Sequence, residues 1–185
     1  MLLLPNNRAR FIAWLTANEG VTLDSAWDAY AHHHQKIPAS ANNGQPWTTW
    51  LILGGRGAGK TRAGAEWVRE VAVNDPTARI ALIGETEHDA REVMVEGISG
   101  LLAVHRHDER PQWIPSRRRL QWKNGAVAQV FSAEDPEALR GPQFSAAWAD
   151  ELAKWRHADP DAPINKWRAP REPLDAFASF AGFQS

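Results

Sequence analysis

The sequence predicts an α/β fold in which helices flank a mainly parallel sheet that also carries one β-hairpin. Three observations support this class. The apolar run Trp50–Leu53 is followed by a glycine-rich loop and then by a helical pattern. A second strand-and-helix alternation covers residues 79–101, and such alternation indicates parallel strands joined by crossover helices. Two short runs within 120–131 surround Asn124 and Gly125, a dipeptide typical of a hairpin turn.

Composition narrows the class of protein. The chain has 185 residues, enough for one well-buried domain. A net charge of −1 means that any nucleic-acid contact must come from a local patch rather than from overall basicity. The lack of cysteine excludes disulfides and thiolate metal sites. Met1–Leu4 is far shorter than the roughly 20 apolar residues of a membrane span, so we expect a cytoplasmic protein with no membrane partner.

The glycine-rich loop predicts a binding site for phosphate groups. Residues 54–61 read GGRGAGKT and match GxxxxGK(S/T), a loop whose backbone N–H groups surround phosphates at the N-terminus of a helix. Lys60 would contact the β- and γ-phosphates of a nucleoside triphosphate, and the Thr61 hydroxyl would bind Mg²⁺. The expected nucleotide-binding residues of the loop are Gly54, Gly55, Arg56, Gly57, Ala58, Gly59, Lys60 and Thr61.

The flanks of this loop supply the context that the motif requires. Trp50–Leu53 predicts the preceding strand. The helix that follows, from Lys60 to about residue 73, has an apolar stripe at Gly64, Trp67, Val68 and Val71. Arg62 and Glu66 have the i,i+4 spacing of an ion pair on its outer face. Lys60 occupies the position where the dinucleotide fingerprint GxGxxG needs its last glycine, which excludes that alternative.

A second strand and helix follow the first pair. Residues 79–83 predict the strand, and Thr86 with Asp89 forms a capping pair for the helix. The glycines Gly97 and Gly100 weaken its last turns. Its expected buried stripe is Ala90, Val93, Met94, Ile98 and Leu101.

The chain then changes character. Residues 105–119 predict a charged, proline-punctuated connector, and 120–131 predicts a hairpin closed by a type I′ turn. A short helix at 135–140 precedes a last apolar strand at 144–149.

The expected strand at 144–149 ends at Asp150 and Glu151, which are the candidate acidic residues of the site. Phosphate-binding loops work with an acidic residue on a neighbouring strand that holds Mg²⁺, a role that suits Asp150. Glu151 would activate the attacking water as a general base, which fits hydrolysis. Acidic strand ends are common in proteins, so Asp150 and Glu151 are site candidates only in combination with the phosphate-binding loop about ninety residues earlier.

Several basic residues other than Lys60 are candidates for contacts to phosphate. Arg56 lies within the loop itself, so we favour a contact to the γ-phosphate. Arg140 is either a second such arginine, a surface charge or a contact to a neighbouring subunit. The run Arg117–Arg119 with Lys123 is interpreted as a solvated face, and contact to a DNA backbone is the alternative.

The N-terminal part leads to the first strand. Residues 8–31 predict two short helices separated by Gly20. We interpret His32–His34 as the solvated end of a helix rather than a metal site, because adjacent helical side chains point in different directions. Gln35 then begins a loop that contains Pro38.

Three long segments carry a resemblance to a known family. They read WLILGGRGAGKTRAGAEWVR, RRRLQWKNGAVAQVFSAEDPEALRGPQF and AAWADELAKWR. Together they resemble the ATPase domain of the large terminase subunit, the DNA-packaging motor of tailed phages and gene transfer agents. The resemblance runs from about Trp27 to Arg156. It implies a P-loop NTPase fold of the ASCE type and a homo-oligomeric ring driven by ATP and Mg²⁺. It also implies double-stranded DNA, the small terminase subunit and the portal as partners, in the cytoplasm of a bacterial host.

The resemblance assigns roles to individual residues. By this likeness Lys60 and Thr61 contact phosphate and Mg²⁺, Asp150 is the acid on the Mg²⁺ side, and Glu151 is the catalytic carboxylate. Arg56 matches the loop arginine of the family, which joins Lys60 and Glu151 in the catalytic set. Gln35, followed by Pro38, matches a glutamine that reads adenine.

The sequence after Arg156 departs from the family. Family members continue to a threonine-rich coupling motif on a further strand and then to a nuclease domain. Residues 157–185 are proline-rich and contain no threonine, so we expect neither feature and no nuclease activity. The expected organisation is N-terminal helices and an adenine-side connector at 1–46, an ATPase core at 47–156 and a poorly ordered tail at 157–185, as in a shortened or frame-shifted gene product. A missing strand would leave a sheet edge exposed.

Three functions remain open at this point. The leading one is an ATP hydrolase of a packaging motor. The second is an ATP-binding or assembly module with little turnover, because the coupling strand is missing. The third is a helicase-like or kinase-like P-loop enzyme, although the sequence offers no identifiable lid or acceptor site.

Overall fold

The computed structural model describes Trp27, residues 31–155 and the strand at 176–181. The two helices predicted within 8–31 lie outside these residues, apart from Trp27. Within the described part of the chain, no helix is long and apolar enough to cross a bilayer.

The described chain alternates strands and helices. The strands are β1 (Thr49–Leu53), β2 (Arg79–Gly84), β3 (Gln112–Ile114), β4 (Arg119–Gln121), β5 (Val127–Ser132), β6 (Ala146–Asp150) and β7 (Ala176–Ala181). The α-helices are α1 (Lys60–Asn74), α2 (Glu87–Asp89), which continues as a π-helical turn over Ala90–Val95, and α3 (Leu101–Val104). Short 3₁₀ helices cover His33–Gln35, Pro115–Arg117, Pro136–Leu139 and Leu152–Lys154.

All seven strands form one sheet in the order β1-β7-β6-β2-β5-β4-β3. The first five strands in that order are parallel to one another. Strand β4 is antiparallel to β5, and β3 is antiparallel to β4. The prediction of a mainly parallel sheet with a hairpin is therefore confirmed. The parallel arrangement places the carboxyl ends of β1, β2 and β6 at the same edge of the sheet.

Strand β7 contradicts the prediction that no strand follows Asp150. It lies between β1 and β6, where Phe180 is opposite Ile52 on one side and Asp150 on the other. The predicted open edge beside the acidic strand does not exist, and part of the expected tail belongs to the core sheet. The segment reads AFASFA, a short and nearly continuous apolar run of the kind found in parallel strands covered on both faces.

Helix α1 covers one face of the sheet. Its predicted stripe is buried at Gly64, Trp67 and Val68 and half-buried at Val71. A Cβ on Gly64 would lie 2.4 Å from Cε2 of Trp148 on β6, so only glycine allows the helix to approach this strand so closely. The main core cluster forms between this helix and the sheet, and its members include Trp50, Ile52, Trp67, Val68, Ile80, Leu82, Val130 and Trp148.

The region after β2 is less regular than predicted. Asp89 N donates to Thr86 Oγ1 over 3.0 Å, so the predicted cap is confirmed. The single helix expected up to residue 101 is instead divided, because the chain turns tightly at Gly97, where a Cβ would lie 2.6 Å from Val93 O. As a result Val93 and Ile98 are 41% and 97% exposed, and their predicted burial is wrong. The other stripe residues, Ala90, Met94 and Leu101, are buried.

The predicted hairpin exists, but its turn differs from the prediction. Gly125 N donates to Trp122 O over 3.1 Å, which makes Lys123 and Asn124 the central residues of the turn. Gly125 follows with a φ of 110°, whereas Asn124 does not have the positive φ that a type I′ turn requires. This geometry fits a three-residue loop that ends in a glycine bulge. The expected connector 105–119 also contains the unpredicted edge strand β3.

The predicted ion pair on α1 exists but is not on an exposed face. Arg62 Nη2 lies 2.7 Å from Glu66 Oε1, and Glu66 is only 5% exposed. Glu66 Oε2 also lies 3.7 Å from Arg69 Nη1, and Arg69 Nη2 pairs with Glu109 at 2.6 Å. These charges connect the helix to the segment before β3 rather than to solvent.

A buried histidine connects α3 to the hairpin. His105 Nδ1 is 2.6 Å from Leu101 O, and Trp122 Nε1 donates to His105 Nε2 over 2.8 Å. Because Nε2 accepts, the ring is neutral with its proton on Nδ1. The pKa of His105 is lowered to about 4, chiefly by burial and also by the nearby Arg69 and Arg110, whereas the Leu101 carbonyl and Glu109 oppose the shift.

We expect this histidine to make stability depend on pH. Its folded-state pKa lies below the ordinary value of 6.5, so its contribution is complete above pH 6.5 and is lost as the pH falls towards 4. The loss is on the order of 3 kcal/mol in the free energy of unfolding. His105→Phe should be less stable at pH 8 and should lose less stability between pH 6.5 and 4. Denaturant unfolding measures both, with the exposed His88→Gln as control, and equal pH dependence of His105→Phe and the native chain would contradict the assignment.

Candidate functional site

The phosphate-binding loop connects the carboxyl end of β1 with the first residue of α1. Gly57 and Gly59 have φ values of 80° and 75°, which residues with a Cβ rarely adopt. The Gly59 carbonyl accepts from Ala63 N over 3.0 Å and so begins the helix. The N–H groups of the first turn have no partner within the helix and are available to an anion at the loop.

Lys60 places its charge inside this loop. Its side chain is 8% exposed, and Nζ donates to Gly54 O over 2.9 Å and to Gly55 O over 3.1 Å. The ammonium group is therefore held against the start of the loop, with hydrogen-bonding capacity for a phosphate oxygen.

Gln35 also contacts the loop. Its Nε2 donates to Ala58 O over 3.0 Å, and its Oε1 accepts from His32 N over 2.9 Å. A Cβ on Gly59 would lie only 2.0 Å from this Nε2, so the amide packs directly on the loop backbone. The exposed rings of His32 and His34 stack at 5.5 Å beside it, and the described residues contain no group of three metal-binding side chains. The sequence placed Gln35 on the adenine side, and the structure adds a role in supporting the loop.

Asp150 is the buried acid at the end of β6. It is 6% exposed, and its Oδ1 has no hydrogen-bond partner among the described residues. The pKa of Asp150 is raised to about 7, first by burial and then by the charge of Glu151, while Lys60 and Lys154 oppose the rise. The influence of Lys60 indicates that the loop and the acid act on each other electrostatically.

Glu151 has a different environment, although it is the next residue. It is 37% exposed and forms an ion pair with Lys154, and this hydrogen bond raises the pKa of Lys154. The backbone of Glu151 has a φ of 49°, and Arg118 is the other described non-glycine residue with positive φ. Such strain persists where the surrounding structure enforces it, which is frequent at functional sites.

The remaining predicted residues are placed as follows. Arg56 is exposed within the loop, and Thr61 is half-buried in the first turn of α1. Arg140 has 77% of its side chain exposed and pairs with Glu137 at 2.8 Å. The structure thus brings Gln35, Lys60 and the loop together with the acidic end of β6, while Arg140 lies on the surface.

Sequence reasoning missed two residues of this region. Trp155 is buried, and its Nε1 donates to Asp150 O over 3.2 Å, which fixes the end of the acidic strand. Lys154 is the ion-pair partner of Glu151, and its i+3 spacing was the available signal. The position of Trp155 could not be predicted, since its contact requires the 3₁₀ turn that follows Glu151.

The residues present fit a magnesium nucleotide. A triphosphate suits the glycine loop and the enclosed charge of Lys60. Mg²⁺ prefers a few protein oxygens together with phosphate and water, so the Thr61 hydroxyl and the partnerless Oδ1 of Asp150 are suitable donors.

The fold and this loop define the chain as a P-loop NTPase. The family described as "Terminase large subunit, T4likevirus-type, N-terminal" matches residues 51–168, which is more than half of the chain. The chain therefore belongs to the large terminase subunit family. A search of curated protein sequences finds no match.

Solved structures of terminases share the fold. The large terminase ATPase domain of Thermus phage P74-26 is 20% identical with a TM-score of 0.53, over 75% of this chain and 60% of that one. A large terminase from a thermophilic bacteriophage, solved with ATP-gamma-S, is 13% identical with a TM-score of 0.54, over 72% of this chain and 32% of that one. The same protein solved with ADP is 16% identical with a TM-score of 0.55. At these identities the likeness shows the fold alone, and the chain spans 60% or less of each relative's length.

We expect the burial of Asp150 to cost stability in the absence of Mg²⁺. Its folded-state pKa lies above the ordinary 3.8, so stability falls as the pH rises from about 4 to about 7. Asp150→Asn removes this charge and should raise the free energy of unfolding at pH 8 by about 1–4 kcal/mol. The same variant should lose the rise in melting temperature that Mg-ATP gives to the native chain.

Thermal melts at pH 8 with and without Mg-ATP measure both effects. Asp108→Asn is the matched control, because Asp108 is 68% exposed and its loss should change neither quantity. A lower melting temperature for Asp150→Asn without nucleotide would show that the carboxylate is stabilising instead.

Proposed function

We propose that this chain binds Mg-ATP and hydrolyses it as the ATPase part of a DNA-packaging terminase. The observation that carries the proposal is the pairing of an enclosed lysine with a buried acid. Lys60 is held in the loop at the end of β1, and its charge lowers the pKa of Asp150 at the end of β6. Lysine in a phosphate-binding loop with an acid on a nearby strand end is the arrangement that phosphoryl transfer requires.

The residues act in the following way. The loop N–H groups and Lys60 bind the phosphates of ATP and fix the position of the γ-phosphate. The Thr61 hydroxyl and the Asp150 carboxylate would hold Mg²⁺, which would neutralise charge on the phosphate oxygens. Glu151 accepts the proton of the attacking water, and the exposed Arg56 turns towards the γ-phosphate to stabilise developing charge.

The wider function follows from the family. We propose double-stranded DNA, the small terminase subunit and the portal as partners of a homo-oligomeric ring in the cytoplasm of a bacterial host. No nuclease activity is proposed for the sequence of 185 residues. In such a ring the exposed Arg140 is available to a neighbouring subunit, and its role stays open among the alternatives of the sequence analysis.

One observation favours a second function, an ATP-binding module with little turnover. The Glu151 carboxylate is engaged by Lys154. A carboxylate oxygen held by a lysine ammonium group is occupied and cannot at the same time accept a proton from water. Hydrolysis therefore requires Glu151 to leave Lys154, and a chain in which it stays there would bind ATP without consuming it.

Substitutions at Glu151 and Lys154 separate the two functions. Glu151→Gln should lower kcat by about 10²–10⁴-fold, because the general base is lost. It should keep the rise in melting temperature with Mg-ATP, because binding does not require the base. Lys154→Met should keep or raise kcat, since Glu151 is released. Steady-state phosphate release measures the rates, and equal rates for Glu151→Gln and the native chain would support the binding module.

Gln35 offers a test of nucleotide selection. If its amide reads adenine, Gln35→Ala should raise the Kd for ATP by about tenfold, the effect of losing one or two hydrogen bonds, and the Kd for GTP by less. If it supports only the loop through Ala58 O, both values should rise equally. Competition between each nucleotide and a fluorescent ADP analogue gives the two Kd values. Asn42→Ala, an exposed change in the same loop, is the control.

A further inference from the structure

A cavity lined by two arginines lies at the opposite edge of the sheet from the phosphate-binding loop. It has a volume of about 180 Å³ and lies beside the first residues of β2 and β5, Arg79 and Val127, whereas the loop follows the carboxyl end of the parallel strand β1. Its lining comprises Arg79, Ile80, Arg119, Val127, Gln129, Pro142, Gln143 and Phe144.

The wall formed by residues 142–144 is fixed to the sheet. Ser145 N donates to Arg79 O over 2.9 Å, and Arg79 N donates to Ser145 Oγ over 3.1 Å. The ring of Phe144 meets that of Phe131 edge-on at 5.3 Å. The cavity is therefore held by contacts between elements rather than by a single surface side chain.

The lining is positively charged and has donors to spare. Arg79 Nη1 donates to Thr77 O and Ala78 O over 3.1 and 3.0 Å, which orients the guanidinium group. Arg119 Nε is fully buried and has no hydrogen-bond partner among the described residues. Because Nε has no accessible surface, a ligand in the cavity would meet Arg119 at its terminal guanidinium nitrogens, which are not among the buried atoms without a partner.

Carboxylates do not neutralise the cavity from within, because no aspartate or glutamate belongs to its lining. The carboxylate on which Arg79 acts is Asp75, whose pKa is lowered first by hydrogen bonds from Thr77 and only weakly by Arg79. Gln129 and Gln143 add neutral amide donors. Two guanidinium groups with amides match a tetrahedral oxyanion, because arginine presents several donors in a fixed fork.

We propose that the cavity between Arg79 and Arg119 binds a phosphate group. The phosphate belongs to a nucleic-acid backbone or is free in solution. This site is separate from the proposed ATP site, and its occupation does not depend on hydrolysis.

The neighbouring basic residues do not belong to this site. Arg118 forms an ion pair with Glu87, and Lys123 Nζ donates to Asp108 O over 2.9 Å. Arg117 is exposed and is not part of the cavity lining. The basic run that the sequence interpreted as one solvated face is thus divided, and only Arg119 faces the cavity.

The first experiment titrates the full 185-residue chain with inorganic phosphate and follows the arginine Nε–Hε resonances by NMR. The Arg119 resonance is assigned by its loss in Arg119→Gln. We expect a saturable shift of this resonance that Gln143→Glu abolishes, because an exposed glutamate at the cavity mouth repels the anion. Phosphate bound at the ATP loop lies at the other edge of the sheet and should not shift it. No shift of Arg119 at phosphate concentrations well above about 1 mM, the Kd of a weak site, would overturn the proposal.

The second experiment distinguishes the source of the phosphate. Fluorescence anisotropy measures the Kd of a labelled duplex DNA at constant salt without nucleotide. If the backbone is the ligand, Arg79→Gln and Arg119→Gln should each weaken binding by about tenfold, while Arg117→Gln, with the same change of charge, changes it less than about twofold. If Arg119 shifts with phosphate but the DNA Kd is unaffected by Arg119→Gln, the site takes free phosphate. An equal loss for all three variants, without a phosphate shift, would leave only general electrostatic attraction and contradict the site.

Discussion

The close contact between Gly64 on α1 and the ring of Trp148 on β6 determines where both halves of the site lie. The helix can lie directly on this strand because residue 64 has no Cβ, which would approach the Trp148 ring to 2.4 Å. Lys60 precedes Gly64 by one helical turn, and Asp150 follows Trp148 by two residues on the same strand face. A larger residue at 64 would therefore move the lysine and the acid apart, although neither belongs to the contact.

The strand β7 has the second structural role. It joins β1 to β6, so the strand that ends at the loop and the strand that ends at the acid are hydrogen-bonded through a segment far along the chain. Parallel strands pair only after a long connection has closed, which makes this pairing costly in chain entropy. The integrity of the site is consequently tied to the part of the sequence that seemed to contain no element of the fold.

Elements with strong local signals were predictable, and elements that depend on partners were not. The loop motif and a helical stripe sufficed for β1 and α1, and Thr86 marked the start of α2. The three-residue strand β3 and the strand β7 are defined by the strands beside them, which a periodicity of so few residues cannot reveal. The burial of Val93 and Ile98 was predicted from a regular helix, and it failed because two glycines let the chain leave helical geometry.

In the candidate site too, the residue types were predictable from the sequence, whereas their surroundings were not. The sequence already assigned Mg²⁺ binding to Asp150 and activation of water to Glu151, but it could not predict how differently the two side chains are surrounded. Burial against the sheet raises the pKa of Asp150, so this carboxylate favours a cation that offsets its charge. Glu151 leaves the strand through a left-handed backbone, is 37% exposed and forms an ion pair with Lys154. These environments, which only the fold creates, fit the proposed roles, in which Asp150 holds Mg²⁺ and Glu151 accepts the proton of the attacking water.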